Sequence, residues 1–482
     1  MKKISLFYIL MLVAVSAAIA GLLQLGSSLP VPQSASVEIH EKAVTAREQT
    51  SAFFGFVEGL RSNVDHPLSH LFIQLLVIVS VSRAVGKIFA RLGQPEVIGE
   101  MVAGILLGPS LFGFLAPELF AAVFPKESLG TLRLLSQIGV CLFMFVVGME
   151  LDLQHVKSKV QAAVAVSHAS ILFPYLLGVC LAYFIFGQLA QPGSTFTAFA
   201  LFMGISMSIT AFPVLARILQ ERGLSRTFLG STAITCAAVD DVTAWSILAF
   251  VVAIAKATSL GGSVLNLLSV LVFVAIMVFG VRRGLPRWLG GQRLVEEEPS
   301  RGTLATVLCV VVAAALSTEV IGIHALFGAF LAGAIMPEVH GFRRRISMRV
   351  ETLSSVLLLP LFFAFTGLRT QIGLLDDLQG WLLCFLIVGV ASLGKLGGSA
   401  IAARLAGMSW GESLQLGALM NTRGLMELIA LNIGYDLSIL SPRIFTMLVI
   451  MALATTMLTG PLLTLFGGQP VLANSPQEAS RA

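Results

Sequence analysis

The sequence predicts an all-α polytopic membrane protein: about 13 core transmembrane helices in two inverted six-helix repeats with crossing broken helices, preceded by an N-terminal helix or signal peptide. Three observations lead there. Of 482 residues, 56% are hydrophobic and only 12% charged, with mean hydropathy +0.90, whereas a soluble chain carries about 25% charge; a water-soluble enzyme is excluded. Apolar runs of about 20 residues recur along nearly the whole chain, each long enough to cross a hydrocarbon layer of about 30 Å. Several short patterns also occur twice in the same order. Gly and Pro lie inside the apolar runs and strict alternation is absent, which favours helices over a β-barrel.

Taken in order, the apolar windows cover residues 4–25, 68–90, 97–115, 131–149, 160–187, 195–218, 228–256, 263–281, 302–320, 321–337, 350–368, 380–403, 412–434 and 441–466. With the N-terminus in the cytoplasm, alternation puts 21 Lys/Arg on the cytoplasmic side and eight opposite, leaving Lys395 and Arg423 inside spans. That asymmetry is the positive-inside pattern. It also accounts for the formal net charge of +5, so no nucleic-acid partner is expected. All five cysteines (Cys141, Cys180, Cys236, Cys309, Cys384) fall in apolar spans without CxxC spacing, which suggests neither a disulfide framework nor a zinc site. The first window fits two readings. Lys2-Lys3, an apolar stretch and Ala18-Ile19-Ala20 suit a secretory signal as well as a membrane helix. Residues 26–67 are then extracytoplasmic, with Val37 to Arg61 either a surface helix or a plain tether. Residues 469–482 are expected to be a short cytoplasmic tail, with no appended nucleotide-binding regulatory domain.

The duplication shows in three places. Ala103-Gly104-Ile105-Leu106-Leu107-Gly108-Pro109 matches Ala332-Gly333-Ala334-Ile335-Met336-Pro337; Leu142-Phe143 through Gly148 matches Leu361-Phe362 through Gly367; and the break around Thr210 matches that around Thr422. The offsets are 229, 219 and 212 residues. Seven spans separate each element from its mate, and an odd number reverses direction, so the repeats are inverted. Residues 68–260 form the first, 261–301 a linker helix and cytoplasmic loop, and 302–468 the second. Such repeats build a site near the midplane that alternates between the two sides.

An ionisable residue inside a span costs at least ~2.5–3.5 kcal/mol and signals function by default. Asp240 and Asp241 stand halfway along residues 228–256; at i and i+1 they point about 100° apart, serving neighbouring surfaces. The alternative is the N-cap of a shorter helix. Lys395 lies among small residues in Ser392-Leu393-Gly394-Lys395-Leu396-Gly397-Gly398-Ser399, which permit close helix approach, and one of the aspartates is its expected partner. Arg423 and Glu427, at i and i+4, suit mutual neutralisation. Ser206, Ser208, Thr210 and Pro213 in the sixth span, and Asn421, Thr422 and Gly424 in the thirteenth, combine short polar side chains with helix breakers. Unwound backbone at that depth must be buried in protein or line a cavity, and its oxygens suit a hard monovalent cation. Glu100, and Glu150 with Asp152, are expected at cytoplasmic span ends, drawing cations into a vestibule or simply solvated. Glu319, His168 and His324 are read as structural.

Gly93-Gln94-Pro95-Glu96-Val97-Ile98-Gly99-Glu100 leading into Ala103-Gly104, the Asp240-Asp241 pair, Lys395 and Asn421-Thr422-Arg423-Gly424 together resemble a bacterial Kef-type or sodium/proton-exchanger-type monovalent cation/proton antiporter, of the second branch of that superfamily. The resemblance runs from about His66 to Phe466. It implies a thirteen-helix fold with a six-helix core domain, a dimerisation domain and elevator-like motion of the core. By position, Asp241 matches the carboxylate that binds cation or proton in turn, Asp240 its preceding acidic partner, and Lys395 the lysine paired with that partner. Thr210 and Thr422 match positions at the crossing.

The expected activity is exchange of Na+ and/or K+ for protons by alternating access. Burial disfavours a charged carboxylate and a bound cation favours it, so proton and metal ion exclude each other at Asp241. If Lys395 also yields a proton, two protons exchange for one cation and the cycle is electrogenic. The alternative is a channel-like potassium efflux pathway, and an intramembrane protease or a non-transporting sensor is remote. No cofactor is expected beyond the transported ions, and no catalysis. The expected setting is the bacterial inner membrane, as a homodimer with a cytoplasmic C-terminus.

Overall fold

The computed structural model describes residues 2–26, 63, 66–150, 160–224, 227–256, 260–289 and 299–467. Most of the 26–67 segment, Asp152 and the 469–482 tail lie outside them. The described residues are helical apart from loops and an isolated antiparallel bridge between Ala190 and Leu440. Among the described residues, twelve helical stretches are long and apolar enough to cross a membrane.

In chain order the helices are α1 (Lys2–Gly26), α2 (Pro67–Arg91), α3 (Glu96–Leu107), α4 (Leu129–Glu150), α5 (Val160–Leu189), α6 (Phe196–Ser208), α7 (Phe212–Glu221), α8 (Phe228–Lys256) and α9 (Leu260–Ala275). A π-helical turn, Ile276–Val281, carries α9 into α10 (Arg282–Leu289). There follow α11 (Arg301–Ile321), α12 (Ala325–Ala334), α13 (Phe342–Leu353), a π-helical turn at Ser354–Leu358, α14 (Leu359–Arg369), α15 (Leu378–Leu405), α16 (Trp410–Met420), α17 (Leu425–Asp436) and α18 (Pro442–Gly467). Local chemistry sets several starts. The side chains of Thr195, Ser300 and Asp377 accept from Ala198, Thr303 and Gly380 N–H, and Ser409 with Glu412 forms a reciprocal capping box. Gly322, at φ 95°, ends α11 in the left-handed conformation that glycine adopts without a Cβ penalty.

Four expected spans are not single long helices; the sixth is divided, as expected, into α6 and α7 around Ile209 to Ala211. The third is α3 and the short helix Phe112–Leu115, interrupted at Gly108-Pro109 because proline lacks the N–H that would continue the ladder. The tenth is the ten-residue α12. The thirteenth is divided into α16 and α17 around Asn421-Thr422-Arg423-Gly424. The eleventh is longer than expected, because the basic helix α13 leads straight into α14.

Helix packing sorts the chain into two units. In one, α5, α6–α7, α8, α15, α16–α17 and α18 pack together; in the other, α2, α3 and α4 pack with α11, α12 and α13–α14. Each expected repeat thus gives its last three spans to the first unit and its first three to the second. The duplicated glycines explain part of this sorting. A Cβ on Gly104 would stand 2.2 Å from Phe363 O, and one on Gly367 2.0 Å from the Gly104 carbonyl, so α3 and α14 touch through bare backbone. A Cβ on Gly148 would stand 2.1 Å from Phe330 O and one on Gly333 2.1 Å from Phe145 O, so α4 and α12 do the same. The α3–α14 contact of one matched pair is therefore repeated as the α12–α4 contact of its mates. In the six-helix unit, Gly394 and Gly398 of α15 play this part against Pro174 and Ala169 of α5. Helix α1 rests on α5, with Met11 and Val15 buried in the cluster that holds Val166 and Ala169.

Candidate ion-binding site

Two interrupted helices meet inside the six-helix unit. α6 ends at Ser208, the chain runs extended through Ile209 to Ala211, and α7 resumes with Pro213 in its first turn. Opposite it, α16 ends at Met420 and α17 begins at Leu425. The two links are tied by Ala211 N–H donating to Thr422 O at 3.0 Å. They come this close at Gly424, where a Cβ would meet Val214 Cγ2 at 3.0 Å. The Thr422 hydroxyl pairs with that of Thr459 on α18 at 3.3 Å. Ser206, Ser208, Thr210, Asn421, Thr422 and Arg423 are all fully buried.

Helix α8 passes the crossing with Asp240 and Asp241, and its neighbours treat the two differently. Asp240 Oδ1 accepts from the Ser167 hydroxyl at 2.5 Å. Its Oδ2 accepts from the hydroxyls of Ser170 at 3.1 Å and Thr210 at 2.6 Å, and from Lys395 Nζ at 3.1 Å. Lys395, also fully buried, donates further to the carbonyls of Ser170 and Ser208. Asp240 is thus saturated and charge-paired. Asp241, 1% exposed, has no hydrogen-bond partner on either carboxylate oxygen. The N–H of Phe212, first residue of α7, faces it, which places it at the positive end of a half-helix. The 100° offset between consecutive residues turns one carboxylate into a hydroxyl-rich pocket on α5 and the other toward the start of α7.

The C-terminal carbonyls of α6 are covered by cations. Arg423 donates to Ser206 O and Met207 O, each at 2.6 Å, while Lys395 takes Ser208 O. Orphan carbonyls at a helix end carry partial negative charge, so both cations sit at the favourable pole. Arg423 also pairs with Glu427 at 3.1 Å, as the i,i+4 spacing suggests. The sequence did not reveal that this arginine reaches across to the other broken helix. On the elements of the crossing and on α8, several buried polar atoms have no hydrogen-bond partner: both Asp241 oxygens, the Ser206 hydroxyl, both polar atoms of the Asn421 side chain, and Glu427 Oε1. Carboxylate, hydroxyl and amide oxygens suit a hard cation. Among the described residues no cluster of three His, Cys, Asp or Glu could hold a transition metal.

One expectation is corrected. Glu100, expected at a solvated vestibule, is 8% exposed and pairs with Arg83 at 3.5 Å; its other charged neighbours are Glu96 and Arg217, none of them in the Asp240 cluster. It is buried because α3 packs flush on α2 at Gly86 and Gly99. Ser167 and Ser170 were missed altogether. Their signal was two serines at i, i+3 on an apolar span, flanking His168, which itself bonds Val164 O at 2.8 Å.

Cavities open at opposite ends of α4. One of about 520 Å³ has Glu150, Glu351, Arg217 and Pro213 among its lining, and so ends one residue from Phe212. The other, of about 690 Å³, is lined by residues including Arg133, Lys256, Glu319, His324 and Asp436.

Residues 76–467 match the family described as sodium/hydrogen exchanger, transmembrane. The chain is 44% identical over 391 residues to the Na(+)/H(+) antiporter NhaS4 of Synechocystis sp., covering 80% of this chain and 95% of that one. It is 30% identical to K(+)/H(+) antiporter 1 of Saccharomyces cerevisiae, covering 84% of this chain but 47% of the yeast protein, and 28% identical to the Na(+)/H(+)-K(+) antiporter GerN of Bacillus cereus, covering 81% and 95%. Among solved structures it is similar in fold to the sodium proton antiporter MjNhaP1 of Methanocaldococcus jannaschii, with TM-score 0.57 at 13% identity over 82% of this chain and 96% of that one. The chain is a multi-pass membrane protein that belongs to the transmembrane sodium/hydrogen exchanger family.

Proposed function

We propose that this protein exchanges Na+ or K+ for protons across a bacterial plasma membrane, with Asp241 as the group that takes cation and proton in turn. One observation carries the assignment: of two adjacent buried carboxylates, Asp240 is paired with Lys395 and accepts three hydroxyl donors, while Asp241 has no side-chain partner or counter-charge bonded to it and faces only the Phe212 N–H. A buried charge without a partner is unstable. Asp241 therefore needs a proton or a cation, and holding one excludes the other. No bond is broken and no cofactor is used.

The six-helix unit carries the site and moves against the other helices in an elevator-like motion, exposing Asp241 to each side alternately. Neutralised Asp241 lets the unit cross a hydrocarbon layer that opposes a bare charge. The asymmetry of Lys and Arg sets the orientation: the cavity with Glu150 and Arg217 faces the cytoplasm, and the one with Arg133 and Asp436 faces outward. Lys395 and Asp240 form the second proton-handling pair: cation binding beside them releases one proton from Asp241 and one from Lys395, so exchange moves net charge. The resemblance of the chain to dimeric exchangers supports a homodimer.

The test uses purified protein in vesicles with an imposed pH gradient. Adding Na+, K+ or Li+ in turn dissipates the gradient if the reading is right, and an imposed membrane potential changes the rate. Cation flux without coupled proton flux would instead establish a channel-like pathway.

A further inference from the structure

At the outward end, the last turn of α17 is gripped by the opposite unit. Asp436 accepts from Arg133 of α4 at 3.0 Å through Oδ2 and from Arg369 of α14 at 2.6 Å through Oδ1. Arg369 also donates to Asn432 Oδ1, one turn back on α17, at 2.9 Å. Its guanidinium lies 4.1 Å from the ring centre of Phe365 and 4.9 Å from that of Tyr435. Asn432 in turn donates to Thr366 of α14 at 2.8 Å. One carboxylate on the six-helix unit is thus held by two cations fixed on the other.

The grip occupies a neck. Asp436, His324, Gln137 and Ile433 line the outer cavity of about 690 Å³ and also a small cavity of about 30 Å³ behind it, which reaches Ser136, Val140 and Ile429 along the seam between the units. At the cytoplasmic end, by contrast, the seam is bridged by Arg217 and Glu96 at 3.4 Å, with both side chains more than one-third exposed; such a pair holds weakly. The Asp436 side chain is 17% exposed and that of Arg369 12%, so this pair is the strong arm of the grip; Arg133, 44% exposed, adds a weaker one. Helix α17 links the neck to the site, because its first turn carries Glu427, paired with Arg423 at the crossing.

We infer that Asp436 is the outward gate of the exchanger: clamped between Arg133 and Arg369 it closes the seam, and its release from both opens the path from that side. The inference rests on the exchange reading above, since only a unit that moves must break this clamp in each cycle. It assigns Asp436 to gating and not to ion binding.

The test places a reporter behind the neck. Ser136 is 1% exposed, lines the small cavity and has an unpartnered hydroxyl, so Ser136→Cys is a small change. In protein whose five native cysteines are replaced, the rate at which a membrane-impermeant maleimide labels position 136 is measured in sealed vesicles, with reagent added to one side and then the other. The expected result is at least a tenfold faster reaction from the outward side in Asp436→Asn, and in Arg369→Gln or Arg133→Gln should the first variant fail to fold. An unchanged rate in folded variants overturns the gate. Exchange is measured on the same vesicles: exchange without faster labelling removes the gate and leaves the exchanger, whereas faster labelling without exchange in the parent protein removes the exchanger and leaves a closed seam.

Discussion

Replacing Lys395 by Met removes the cation from a carboxylate that is fully buried and accepts three hydroxyl donors besides. Breaking a buried ion pair from one side costs about 3–5 kcal/mol, because the remaining charge is left uncompensated, while replacing both partners by neutral groups is often near neutral. Asp240→Asn is the same break from the other side, leaving an ammonium against the carbonyls of Ser170 and Ser208. Each single variant is therefore expected to lose about 3–5 kcal/mol, and the double variant no more than about as much as one of them, a coupling of at least ~3 kcal/mol. The assay is the midpoint of thermal unfolding in mild detergent, followed by the amount of monodisperse protein surviving on a sizing column. A double variant whose loss equals the sum of the two singles would refute the claim that Asp240 and Lys395 form one unit.

Arg423→Met strips donors from Ser206 O and Met207 O and strands Glu427; it should destabilise by about 3–5 kcal/mol, with partial rescue by Glu427→Gln in the same melting assay. Gly367→Ala and Gly148→Ala put a methyl against carbonyl backbone 2.0–2.1 Å away and should each cost about 1–3 kcal/mol. Gly389→Ala, which meets nothing within 4 Å on helix α15, should be neutral or slightly stabilising. If protons compete with the cation, the apparent KM for the cation falls as pH rises, by up to about tenfold per pH unit for each proton released; a pH-independent KM in vesicle assays would contradict the competition.

Part of this was legible because a membrane span is a quiet background. Asp240, Asp241 and Lys395 stood out since a charge there is expensive and needs a reason. The glycine patterns were legible for a related cause: helices meeting through backbone, as α3 and α14 do at Gly104 and Gly367, tolerate no larger residue. Ser167 and Ser170 left little trace, because a serine in a membrane helix usually bonds its own preceding carbonyl, and only packing against α8 turns these two toward Asp240. Which aspartate is saturated depends on the rotation of α8, set by neighbours far away in the sequence. Spacing paired Arg423 with Glu427, but its reach to Ser206 and Met207 crosses more than 200 residues of chain. Hydropathy windows also read through breaks, so the third span looked continuous although Gly108-Pro109 interrupts it, whereas the short polar residues and Gly424 of the thirteenth announced its break.

The most direct test of the central claim is exchange by Asp241→Asn in vesicles, beside the parent protein and with folding verified on a sizing column. Asparagine keeps the shape and loses the charge, so the site can hold neither an exchangeable proton nor a cation against its own counter-charge. In this variant Na+ and K+ should both fail to dissipate an imposed pH gradient. Exchange at the parent rate by the folded variant would contradict it.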